Sequence, residues 1–114
     1  MNQVFLADPL LEERSAFRAL LLDMQMEIAG EAVDWSALYS QAGSTHPDMI
    51  LLSWDLLPKD ASQAVALLRK DCPDASIVAI INQAGDNHDA IQSSGVDACI
   101  SKEDFPHTTD GNFS

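Results

Sequence analysis

Apolar residues along this chain follow two rhythms. Val4 to Ala7, Met49 to Leu52 and Ser76 to Ile81 are short apolar runs without polar alternation, which suits parallel strands covered on both faces. Elsewhere the spacing lengthens. Ala16, Phe17, Leu20, Leu21 and Met24 recur at three- and four-residue steps, predicting a helix over Glu12 to Met26 whose acidic start suits the helix dipole. A second short strand fits Glu27 to Val33. A second helix fits Trp35 to Ala42, with Asp34 as its N-cap and Gly43 as its C-terminal stop. Ser62 to Arg69 carries Ala64, Val65, Leu67 and Leu68 as a third helical stripe. Asp86 to Ser94, ended by Gly95, makes a fourth helix, and Ala98 to Ile100 a fifth strand finishing at Ser101 and Lys102. Strands alternating with helices in this way predict an α/β domain, a three-layer doubly wound parallel sheet. The pattern then stops. Residues 105–114 hold Pro106, Asp110, Gly111 and Asn112 without an apolar helical face, so the expectation is one domain over 1–104, a tail or linker over 105–114, and a fifth helix that is missing or truncated.

Composition narrows the function classes. With 114 residues, 46% of them hydrophobic, there is room for one core. A net charge of -12 disfavours direct contact with nucleic acid or an anionic membrane, since both depend on Lys and Arg. No apolar run approaches the ~20 residues of a membrane span, and Met1 to Ala7 lacks the features of a signal peptide, so a cytoplasmic location is expected. Cys72 and Cys99 are isolated and read as reduced thiols in packing positions. His46, His88 and His107 share no spacing and read as exposed loop residues.

In open parallel sheets the ligand crevice lies outside the carboxyl ends of the strands. Those ends are Asp8, Asp34, Ser53 to Asp55, Ile81-Asn82 and Ser101-Lys102, so carboxylates and one ammonium from distant parts of the chain are candidates to converge. Each also has a purely structural reading: turn chemistry for Asp8 before Pro9, helix capping for Asp34, a loop cap for Asp55, solvation for Lys102 and packing for Trp54. An electron carrier with the same architecture would need a phosphate-cradling loop after Ala7. The chain has "ADPLLEE" there, with no run of Ser, Thr or Gly.

The order and spacing of five pieces resemble the receiver domains of bacterial two-component response regulators, especially those with a helix-turn-helix output domain. "VFLADPLLEERSAFRALL" is similar to that family's first strand and helix and "EIAGEAVDWSAL" to its second unit. "HPDMILLSWDLLP" resembles the third, "CPDASIVAI" the fourth, and "SGVDACISK" the last strand with its lysine. The resemblance implies a flavodoxin-like sheet of order 2-1-3-4-5. It also implies an aspartate phosphorylated at the end of the third strand, an acidic pair after the first strand that helps hold Mg²⁺, a Ser or Thr after the fourth, and a Lys after the fifth.

Residue by residue, Asp8 matches the first acidic position and Lys102 the lysine. The remaining positions depart. The second acidic position falls on Pro9, the phosphoacceptor on Ser53 and the hydroxyl on Ile81, with Asn82 beside it. A serine hydroxyl needs a positioned base before it attacks, and Mg²⁺ favours carboxylate oxygens, of which Asp8 and Asp55 are the remaining weak candidates. Exchanging a buried carboxylate for a hydroxyl at position 53 relieves repulsion with Asp8. The expectation is a non-enzymatic, phosphorylation-independent interaction module, with Mg²⁺ binding weak or absent and no other cofactor. Its partner would be a protein or a second copy, through the face of the fourth helix and fifth strand, or an output domain outside this chain. The alternative is an active acceptor that uses Asp55, two residues on and inward-facing if the strand persists.

Overall fold

The computed structural model describes residues 2–83, 85 and 88–102. Strands β1 (Gln3–Ala7), β2 (Glu27–Ala32), β3 (Met49–Ser53), β4 (Ser76–Ile81) and β5 (Ala98–Ser101) pair in parallel in the order β2-β1-β3-β4-β5. Helices α1 (Leu11–Asp23), α2 (Trp35–Thr45), α3 (Ala61–Asp71) and α4 (His88–Ser94) connect them among the described residues. The doubly wound parallel architecture expected from the sequence is the one observed. The expectations for 105–114, the fifth helix and His107 lie outside the described residues.

Alternation along the strands divides the interior into two cores. Phe5, Ala7, Ile50, Leu52, Ile77 and Ala79 face one side, where Leu38 and Ala42 of α2 and Val65 and Leu68 of α3 close over them. Val4, Leu6, Leu51, Val78 and Ile80 face the other and meet Phe17 and Leu21 of α1. Each buried Leu or Ile side chain stabilises the fold by about 1.5–3 kcal/mol, so the two apolar layers are the main source of the sheet's stability. Burial on both faces accounts for the unalternated apolar runs in β3 and β4.

Local chemistry sets the ends. Asp34 Oδ1 accepts from the Ala37 N–H (2.8 Å) and Asp60 Oδ1 from the Gln63 N–H (3.1 Å), capping α2 and α3. Gly43 is not the stop of α2. The helix runs on to Thr45 and ends where His46 adopts the left-handed conformation (φ 50, ψ 56) ahead of Pro47, which cannot extend it. Gly43 lies against the end of α3, where a Cβ would stand at ordinary contact distance, 3.4 Å, from Asp71 Cβ. Gly30 has the tighter constraint. The β1–β2 register shifts between Val4 and Phe5, and a Cβ on Gly30 would fall 2.6 Å from Phe5 Cε2. Helix α1 ends at Asp23 rather than Met26, and Ala16 and Met24 are exposed, so its buried face is narrower than the spacing predicted. Cys72 is buried, and burial followed by the neighbouring Asp71 charge pushes its thiol pKa up. Cys99 is an exposed thiol on β5, which corrects its reading as a packing residue.

Candidate functional site

The row of side chains on the α1 side becomes polar where the strands run out. Val4 and Leu6 are followed at the next alternate position by Asp8, and Leu51 by Ser53. The Asp8 N–H still donates to the Ala32 carbonyl (3.0 Å), so the ladder holds Asp8 in line with β1. Ser53 closes β3, the middle strand, and is 2% exposed. Lys102 follows β5 directly, and its ammonium turns to α1, within 2.7 Å of Glu13 Oε1.

Asp8 is fully buried. Its Oδ1 accepts from the Leu10 N–H at 2.9 Å, while Oδ2 has no hydrogen-bond partner. Burial raises its pKa to about 6. The Leu10 N–H works against this, the charge of the adjacent Glu13 adds to it, and Lys102 partly offsets it. Glu13 and Lys102 are partly buried, with side chains 29% and 20% exposed, and their charges are in contact although the approach falls outside hydrogen-bond geometry. Three ionisable groups, from just past the ends of β1 and β5 and from α1, therefore meet: two acids and one base.

The remaining sequence candidates separate from this cluster. The strand does not persist to Asp55. A single 3-10 turn, Trp54–Leu56, begins immediately after Ser53 and leaves Asp55 exposed. Trp54 packs partly buried against the core of α2 and α3, as its packing reading predicted. Pro9 is exposed beside Asp8, and Ile81 is buried as the last residue of β4, in register with Ser101. Asp34 caps a helix rather than joining the site. His46 and His88 are exposed. Among the described residues no group of three or more His, Cys, Asp or Glu side chains is placed to hold a metal ion, and no helix is long and apolar enough to cross a membrane.

Neither a family model nor a curated protein matches the chain. Solved structures do. The isolated receiver domain of RcsB from Salmonella enterica serovar Typhimurium, in the presence of the phosphomimetic BeF3-, aligns with a TM-score of 0.78 at 15% identity, over 93% of this chain and 81% of that one. This is the receiver fold. RcsB bound to the promoter rprA gives 0.78 at 16% identity over 96% of this chain, which spans 64% of that regulator. A receiver domain of a Pseudomonas aeruginosa PAO1 sensor histidine kinase, with a magnesium ion coordinated in its active-site cleft, gives 0.76 at 18% identity over 96% and 91% of the two chains.

Within the receiver fold, Asp8, Ser53 and Lys102 stand at the carboxyl ends of β1, β3 and β5, where the sequence assigned them. Glu13 is the residue that sequence reasoning missed. It stood out only as a charge favouring the helix start, yet it is two residues into α1 and next to the buried acid. The signal that would have found it is its place in the first turn of the helix that follows Asp8 after a two-residue link.

Proposed function

We propose that this chain is a receiver-fold signalling module of a two-component response regulator in which phosphoryl transfer has been lost. It acts by binding a protein partner or a second copy through the face of α4 and β5, in the cytoplasm, and carries no catalysis of its own. The observation that carries this reading is the buried Ser53 at the end of the middle strand, with the nearest following acid, Asp55, turned out to solvent. A hydroxyl without a positioned base is a poor phosphoryl acceptor, and among the described residues both histidines are exposed whereas Ser53 is buried.

The residues present do not fit Mg²⁺. One oxygen of Asp8 is committed to the Leu10 N–H, Glu13 is committed to Lys102, and that ammonium opposes a second cation. Asp55 as a surrogate acceptor is not favoured, because it projects from the 3-10 turn rather than from β3. Output would come from a domain or partner beyond these residues. The promoter-bound relative supports this reading, and the chain's own charge of -12 argues against direct DNA contact.

The test is a titration with Mg²⁺ and beryllofluoride, read by Trp54 fluorescence and by backbone amide shifts near residues 8, 53 and 102. The expected result is no saturable change. Saturable shifts at all three positions would refute the silent site.

A further inference from the structure

Helix α1 is held at both margins of the sheet by consecutive residues that diverge. Arg14 reaches β2, where its Nε lies 3.1 Å from Glu31 Oε1, and Glu13 reaches Lys102 at the end of β5. A half-buried ammonium needs a negative partner close by, and Ser53 at the end of β3 supplies none. We propose that Glu13 is the pocket's built-in counter-ion. It holds Lys102, and with it the end of β5, in place of an acid at position 53, so that carboxylates at 13 and 53 exclude one another.

Three observations converge on this. Glu13 and Lys102 are in charge contact, both are partly buried, and Asp8 already brings an unpartnered oxygen to the same pocket. A third carboxylate there would share one ammonium with two acids in a desolvated space. The consequence reaches the proposed docking face. In this arrangement the end of β5 is held to α1 by charge, with no event at position 53 required to bring them together.

The inference rests on reading Ser53 as a vacated acid position, and its test does not involve phosphate. Thermal unfolding of the full chain is compared for wild type, Glu13→Gln, Ser53→Asp and the double variant at about pH 8, where free carboxyls are ionised. Ser53→Asp is expected to lower Tm by about 5 °C or more in the wild-type background, and by less than about half as much once Glu13 is neutral. Equal losses in both backgrounds would overturn the exchange while leaving the phosphate-silent reading intact. If Ser53→Asp folds in neither background, the charge-exchanged pair Glu13→Lys with Lys102→Glu decides instead. Recovery of the Tm lost by each single change supports the pairing, and no recovery overturns it.

Discussion

Two charge clusters flank α1, and they differ in balance. At the β2 margin Glu31 is gripped by two arginines, Arg14 at 3.1 Å and Arg18 at 2.9 Å, and Arg14 also donates to the Asp8 carbonyl at 2.9 Å. At the β5 margin one lysine faces two acids, and an oxygen of Asp8 is left without a partner. The first cluster satisfies its groups and locks a helix to an edge strand. The second leaves a buried carboxyl under strain at the mouth of the sheet. Charge surplus of this kind, rather than the presence of charge, separates a candidate site from a fastening.

The sharpest way to break the comparison is at Gly30. Gly30→Ala would place a Cβ 2.6 Å from the fully buried Phe5 ring and push β2, with Glu31, away from the arginines. A loss of about 2–3 kcal/mol is expected in denaturant unfolding. A milder test is Glu31→Gln, which keeps the shape of the β2 cluster and removes its charge. With Arg14 only 14% exposed, the expected cost is about 1–2 kcal/mol, and a negligible change would show that this cluster is no fastening.

The smallest effect has the opposite sign. Asp8→Asn keeps an acceptor for the Leu10 N–H and gives Glu13 a donor, so it should stabilise the protein by about 1 kcal/mol at pH 8. The sign follows from proton linkage. The folded carboxyl keeps its proton up to about pH 6, whereas in the unfolded chain it loses it near its ordinary value of 3.8, so the folded state binds more protons in between. The stability Asp8 contributes is therefore complete below pH 3.8 and is lost as pH rises through about 6. Subtracting the Asp8→Asn profile from that of the wild type isolates this slope. A difference that rises with pH across the window would contradict the buried-acid reading.

Much of the architecture was legible because burial on both faces writes itself into β3 and β4 as unbroken apolar runs. Asp34 was legible because capping is local chemistry. Gly43 misled because the end of α2 is set three residues later, where His46 turns left-handed ahead of Pro47. Asp55 misled because alternation was extended through Ser53 into a 3-10 turn. The site was half legible. Asp8, Ser53 and Lys102 lie at strand ends, which topology alone makes suspect, but Glu13 joins them only through the docking angle of α1, a tertiary fact.

The margins of the sheet bear on how copies of the protein would meet. β2 carries Glu27 and Glu31 along one rim, and β5 offers only four residues along the other, so neither rim invites a stray strand to extend it. Self-association is thereby steered away from a shared, continuous sheet and toward contacts between helices and side chains. The same features would help the chain to resist fibrillar aggregation.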